Sequence, residues 1–299
     1  MAVSAIRRSA SRPLRKSVDA GRYIATLQGM SDESEPAYEA LTMYAIGSPL
    51  TTTSKIRYLA YEIQQLCKTN GLSSYLADNL IAIGRNLGFT RDRIFMDAVG
   101  GARQSPSDLS KLWRLHTYCW AISTALAVDG DLVECGVFEG LYAATALGTL
   151  GAAIEPTRTF YLYDTFQGLD ARYATEHEIE MSGTDFSAAG LEQSVRSRFA
   201  PWPNVKVIAG TVPDVLHSDA PEHVAFLHLD MNSATAEIAA LEFFYDRIPD
   251  GGVILLDDFG RSEYRAMFEA YERWFGDCGQ RILELPTGQG MIIKRIVPA

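Results

Sequence analysis

Three aspartates at the ends of two apolar runs are the residues of this chain best placed to do chemistry. Phe226-Leu-His-Leu-Asp230 and Gly252-Val-Ile-Leu-Leu-Asp257-Asp258 each read as a short strand that ends in acid. Adjacent parallel strands deliver their C-terminal residues to one rim, so Asp230, Asp257 and Asp258 converge there. Unpaired, they repel and raise one another's pKa. A hard divalent cation resolves that conflict, and oxygen-only ligation suits Mg²⁺ or a similar ion. Neighbouring residues on a strand face opposite ways, so Asp257 and Asp258 share an ion only if the strand bends there. The competing reading spends one carboxylate on a helix cap or on Arg261. His228 lies two residues before Asp230 on the same strand face, which makes it either a candidate base or a buried histidine bonded to backbone. His116 has the same two readings, with less to favour catalysis.

A second group of residues could hold a ligand. Glu134-Cys-Gly136-Val-Phe-Glu-Gly140 follows the first strand of the later two-thirds of the chain. Glycines at such a turn let the backbone approach a ligand, and the following helix presents free N–H groups. Asp164 ends the next strand, 24 residues after Gly140, where an acid can accept hydrogen bonds from a ribose diol. Together these features indicate an adenosine-type ligand at the carboxyl ends of the strands, with NAD and S-adenosylmethionine both open.

These residues need a parallel sheet to bring them together, and the pattern from Gly130 onward supplies one. Short apolar runs alternate with helical segments: strands over Leu132–Val137, Thr159–Tyr163, Asn204–Ile208, Val224–Leu229 and Gly252–Leu256, with helices over about 140–153 and 188–200. Arg281–Leu285 and Met291–Ile296, joined by Pro-Thr-Gly-Gln-Gly, form an antiparallel end hairpin. The expected fold is α/β, a Rossmann-like seven-stranded sheet with an antiparallel terminal hairpin, preceded by a helical N-terminal cap. Residues 1–33 read as a basic leader, 34–128 as a helical cap or oligomerisation region, and 129–299 as the core. Within the cap, breaks fall at Gly47-Ser-Pro49, Asn70-Gly71 and Gly100-Gly101. Ser105-Pro106-Ser107-Asp108 opens a helix whose stripe is Leu112, Leu115, Cys119, Ile122 and Leu126. No convincing strand falls in this first third. The stretch from Gly168 to Lys206 is long for a connection, and its part Asp170–Asp185, with Tyr173, reads as a loop that closes over substrate or as a surface crossover.

Composition narrows the classes. The chain has 299 residues and a net charge of −10, and six of its 27 basic residues but one of its 37 acidic ones fall in residues 1–30. The body is therefore more acidic than the total suggests and repels a polyphosphate backbone, which argues against a nucleic-acid partner. No apolar run is long enough to span a bilayer, so no membrane partner is expected. The basic start resembles an organellar transit peptide or a plain disordered leader. Four cysteines (Cys67, Cys119, Cys135, Cys278) lack metal or redox spacing, which points to a reducing, cytoplasmic setting.

In combination, Glu134-Cys-Gly136-Val, Tyr163-Asp164-Thr-Phe-Gln-Gly168, His228-Leu-Asp230, Asp250-Gly-Gly252 and Asp257-Asp258-Phe-Gly260 resemble the macrocin O-methyltransferase (TylF-like) family, over about residues 105–296. The resemblance implies S-adenosylmethionine as cofactor, held by Glu134, Gly136 and Asp164, and Gly140, Thr165 and Gly210 are further cofactor-binding candidates. It also implies Mg²⁺ or a similar cation on Asp230, Asp257 and Asp258. Such an ion would lower the pKa of a bound hydroxyl, and Asp230, or the nearby His228, is the expected proton acceptor. The acceptor would be a hydroxyl of a small molecule or sugar, and the assembly a homo-oligomer. Where the family reads Asp-x-Asp-x-Tyr, this chain has Asp230-Met-Asn232-Ser-Ala234, with Asn232 able to offer a carbonyl oxygen. Two alternatives stay open: an NAD-dependent oxidoreductase, which calls for a third glycine in the first turn, and a catalytically idle binding protein that keeps the fold.

Overall fold

The computed structural model of the protein describes residues 50–154, 158–182 and 186–295, with side chains from residue 55. All lie in the compact unit Tyr38–Ala299. The basic leader, the first part of the expected cap and the break at Gly47-Ser-Pro49 lie outside the described residues.

The chain runs α1 (Leu50–Thr69), β1 (Ser74–Ala77), β2 (Leu80–Ile83), α2 (Arg93–Ala102), α3 (Leu112–Ala125), β3 (Asp131–Cys135), α4 (Leu141–Leu150), β4 (Phe160–Asp164), α5 (Glu176–Ser182), α6 (Leu191–Phe199), β5 (Val205–Ala209), β6 (Val224–Leu229), α7 (Ala234–Phe244), β7 (Val253–Leu256), α8 (Arg265–Asp277), β8 (Leu283–Glu284) and β9 (Gly290–Ile293). Seven strands form one sheet in the order β5-β4-β3-β6-β7-β9-β8. Strands β3 to β7 pair in parallel, while β9 runs antiparallel to both β7 and β8. The expected seven-stranded sheet with its end hairpin is therefore present, each strand within a few residues of its sequence-derived position.

Strands β6 and β7 are buried at every residue, as continuous apolar runs must be when helices cover both faces. One face carries a cluster that includes Leu115, Ile122, Leu132, Ala143, Phe160 and Phe226. The other gathers Val133, Leu227, Leu241, Phe244, Ile254, Tyr271 and Phe275 from the sheet, α7 and α8. Tyr75 of β1, Val99 of α2 and the α3 stripe belong to the first cluster. The described residues 75–125 thus pack into the layer against the sheet.

Two local expectations are corrected. The first third contains a β-hairpin, with Ser74 opposite Ile83 and Ala77 opposite Leu80. Its turn is Asp78-Asn79, with φ of 52° and 60°, the paired left-handed conformation of a tight hairpin, which Asp and Asn tolerate better than most residues. Gly100-Gly101 does not break a helix: α2 runs through both to Ala102. The turn at Asn70-Gly71 does stop α1, with Gly71 at φ 66°. Ahead of α3, the Asp108 carboxylate accepts from the backbone N–H of Gln104 (2.8 Å) and Ser105 (3.0 Å). That closes the expected helix start, whose first turn is a 3₁₀ turn over Pro106–Lys111.

Candidate active site

The strand order reverses at β3, where the chain first builds outward through β4 to β5 and then returns to add β6 and β7. Ligands in open α/β sheets sit outside the carboxyl ends of the strands at such a switch point, and an open cleft lies there. Its walls include Gly136–Phe138 after β3, Asp164 and Thr165 after β4, Gly210 after β5 and Asp230–Ser233 after β6.

The turn after β3 is held by main chain. The Gly136 N–H donates to Tyr163 O (2.8 Å), and the Asp230 N–H donates to Cys135 O (2.9 Å). Gly136 has φ 91°, and a Cβ there would fall 1.9 Å from the Asp230 carbonyl oxygen. Glycine is therefore required both for conformation and for this approach. Asp164 spans the next gap: its carboxylate accepts from the N–H groups of Val137 (2.7 Å), Phe138 (2.8 Å) and Phe166 (2.6 Å). The acid expected to meet a ribose also organises the turn beneath it. Thr165 donates its hydroxyl to Gly168 O (2.6 Å), which folds the next loop back. Three non-glycine residues near the cleft, Phe138, Phe166 and Asn232, have φ of 48°, 55° and 56°, a concentration of backbone strain typical of functional sites.

Glu134, Gly140 and His228 do not line this cleft. Glu134 is buried under the β3 turn, where the Tyr118 hydroxyl donates to it. Gly140 caps α4 in a left-handed conformation, and a Cβ there would meet the Phe199 ring at 2.7 Å, so its bareness serves packing against α6. His228 is fully buried, with Nδ1 3.8 Å from Glu134 and Nε2 3.6 Å from Asp257. Burial opposes its charge, but the two carboxylates prevail and raise its pKa to about 10. The imidazole has no face on the cleft, so a ligand there does not meet it directly. His116 stacks on Phe89, with ring centroids 4.9 Å apart.

The aspartates separate into two kinds. Asp230 lines the cleft half-buried, and among the described residues no side chain or N–H donates to its carboxylate. Burial, then the charges of Asp257 and Asp258, raise its pKa well above the usual carboxylate range. The chain bends after β7, as sharing between Asp257 and Asp258 requires, and both side chains are buried. Asp257 accepts from Arg114, from the Tyr142 hydroxyl (3.1 Å) and from Gln289 (2.8 Å). Despite burial, Arg114 above all holds its carboxyl well below the usual range. Asp258 lies 3.3 Å from the same guanidinium and 3.6 Å from Arg261; burial outweighs these cations and raises its pKa. Ligand-type atoms of His228, Asp230 and Asp257 approach within 4.8 Å of one another.

The donor set does not fit a resident divalent ion as the residues stand. Asp257 spends its oxygens on a cation and two neutral donors, and the same guanidinium reaches Asp258. Asn232 offers little more, because its amide oxygen accepts from the Tyr264 hydroxyl. Arg114, Tyr142 and Gln289 escaped the sequence reading. Arg114 lies one residue before Leu115 on an apolar stripe, and this position is the one signal that could have marked it as buried.

The long connection after Gly168 forms part of the cleft wall through Leu169, Asp170, Tyr173 and Phe186. It is tied to the start of α7, where the Ser233 hydroxyl donates to Tyr173 O (2.6 Å) and the Ala234 N–H donates to Glu178 (2.9 Å). Asp170 accepts from the Thr211 hydroxyl (2.8 Å), and Arg172 bridges Asp170 and Asp214.

A cleft at the switch point of a seven-stranded sheet whose last strands run antiparallel defines a Rossmann-like methyltransferase architecture. Residues 110–275, more than half of the chain, match the macrocin O-methyltransferase (TylF) family, and the protein belongs to it. It is thus an S-adenosylmethionine-dependent O-methyltransferase. It is similar to the 8-demethyl-8-(2,3-dimethoxy-alpha-L-rhamnosyl)-tetracenomycin-C 4'-O-methyltransferase of Streptomyces olivaceus, at 27% identity over 176 residues, 55% of this chain and 67% of that one. Mycinamicin III 3''-O-methyltransferase of Micromonospora griseorubida is 28% identical over 194 residues, 61% of this chain and 76% of that one. The fold is similar to that of the O-methyltransferase NovP, with a TM-score of 0.53 at 20% identity, over 62% of this chain and 81% of that one. Among the described residues no helix is long and apolar enough to cross a membrane.

Proposed function

We propose that the protein methylates a hydroxyl of a sugar or similarly hydroxylated natural product, with Asp230 as the proton acceptor. The observation that carries this reading is the shared cleft: one cavity joins the glycine turn, Asp164, Thr165 and Gly210 to the Asp230 carboxylate. The activities of the Streptomyces and Micromonospora relatives, on a rhamnosyl-tetracenomycin and on mycinamicin III, support a glycosylated acceptor.

In this reading the sulfonium donor lies over Gly136–Phe138, with its adenosine between Asp164, Thr165 and Gly210. A sugar hydroxyl is barely ionised at neutral pH, so it must lose its proton as its oxygen attacks the methyl carbon. The C–S bond breaks, S-adenosylhomocysteine leaves, and the proton passes to the ionised carboxylate of Asp230, which lines the cleft and accepts from no other donor among the described residues. The cleft supplies alignment, and the tied connection 168–182 keeps water out while the methyl moves. The sequence-based expectation of Mg²⁺ on Asp230, Asp257 and Asp258 enters none of these steps. Segment 34–128 is proposed to cap the site and to take part in a homo-oligomer, a role that rests on the family resemblance.

Calorimetric titration with S-adenosylhomocysteine, followed by a mass-spectrometric screen of glycosylated acceptors, tests the reading. Wild-type protein is expected to bind the donor product, and Asp230→Asn to bind it equally while losing methyl transfer at least 100-fold. Absence of binding to wild-type protein would defeat the proposal, and NAD would be the next ligand to titrate.

A further inference from the structure

The acidic rim already contains a cation. The guanidinium of Arg114 is buried and reaches three carboxylates from three parts of the chain. Its Nε donates to Asp78 of the hairpin turn at 2.5 Å, and its Nη1 donates to Asp257 and lies 3.3 Å from Asp258. Asp78 in turn lies 3.8 Å from Arg261, which is 3.6 Å from Asp258. A forked, permanently charged group in this position does for Asp257 and Asp258 what a divalent ion would do: it offsets their repulsion and fixes their orientation.

We propose that Arg114 is the resident cation of this rim, a positioning residue that takes the place of a divalent ion, so that the enzyme binds and uses none. Two further observations agree. Tyr142 and Gln289 complete the hydrogen bonding of Asp257 with neutral donors, leaving it poorly disposed to join a metal's coordination shell. The one carboxylate at this rim that faces the cleft, Asp230, is a single ligand, and a hard ion needs several oxygens. The hairpin before the sheet thereby acquires a role at the site, since Asp78 orients the guanidinium from the side opposite Asp257. The proposal rests on the methyl-transfer reading for its catalytic consequence, whereas ion binding can be measured without an acceptor.

The test is calorimetric titration of Mn²⁺ and of Mg²⁺ into the full chain saturated with S-adenosylhomocysteine, with thermal unfolding in parallel. Wild-type protein is expected to give no saturable heat up to millimolar ion and no shift in unfolding temperature. Arg114→Met, which bares Asp257 and Asp258, is expected to gain Mn²⁺ affinity at least tenfold and to be stabilised by the ion; a purely structural arginine would confer no such gain. Should that variant fail to fold, the wild-type titration decides alone. Micromolar Mn²⁺ binding by wild-type protein, weakened tenfold or more in Asp230→Asn, would overturn the proposal and return the rim to a metal. Failure to bind S-adenosylhomocysteine would instead strike the methyl-transfer reading, so the two failures are distinguishable.

Discussion

The cleft and the buried acidic rim beneath it are built in different ways. The cleft's glycine turn is made largely by main chain: it is pressed against the exit of β6, and the Asp164 carboxylate collects three of its neighbours' N–H groups. The acidic rim beneath it is made by side chains from distant parts of the sequence, with Arg114 joined to Asp78 and Asp257 across 36 and 143 positions. Backbone geometry tolerates almost no change at a few positions and much elsewhere, whereas a buried charge network fails whenever one member is left without its partner.

Substitutions should therefore break the two differently. The largest loss is expected for Arg114→Met, which leaves buried carboxylates uncompensated at a cost of about 3–5 kcal/mol. Thermal unfolding would show it, and adding Asp257→Asn should recover part of the loss. Gly136→Ala should cost about 3 kcal/mol through its φ and the clash with the Asp230 carbonyl. Unlike the arginine change it should abolish S-adenosylhomocysteine binding in calorimetry even where folded protein is recovered.

A smaller, pH-linked effect sharpens the contrast. Glu237 is buried and accepts from the Met231 and Asn232 N–H groups and from Tyr271. Burial raises its pKa from 4.5 to about 7, so the folded state holds the proton more tightly than the unfolded chain. Its contribution to stability is present below pH 4.5 and lost as pH rises through about 7, amounting to roughly 3 kcal/mol at most. Unfolding curves across that window should flatten in Glu237→Gln. The smallest effect is expected from Asp164→Asn, about 1–2 kcal/mol from weakened acceptance at the donor turn, together with a tenfold or greater loss of S-adenosylhomocysteine affinity.

The same division explains what could be read beforehand. Glycine and acid at strand ends are local signals, and they placed Gly136, Asp164 and Asp230 around one cleft. Alternating apolar runs gave the strands of the sheet because fully buried β6 and β7 leave a continuous hydrophobic signature. The hairpin was missed because Asp78-Asn79 is a less familiar tight turn than Asn-Gly and its strands are four residues each. Glu134 and His228 lie on the correct strands but under the site, since the residue at a strand's end reaches the cleft while those before it face the covering helices. No local pattern distinguishes a buried arginine on an amphipathic helix from an exposed one, so the partners of Asp257 became visible only through tertiary contacts.

The contact between Gly136 and the Asp230 carbonyl has a consequence for how such an enzyme can diversify. Because the glycine turn and the loop bearing Asp230 touch through main chain, their spacing is insulated from changes in the side chains that line the cleft. Mutations in Tyr173, Phe186 or Met231 can therefore reshape the cleft over successive generations while the spacing of the glycine turn and Asp230 is inherited unchanged.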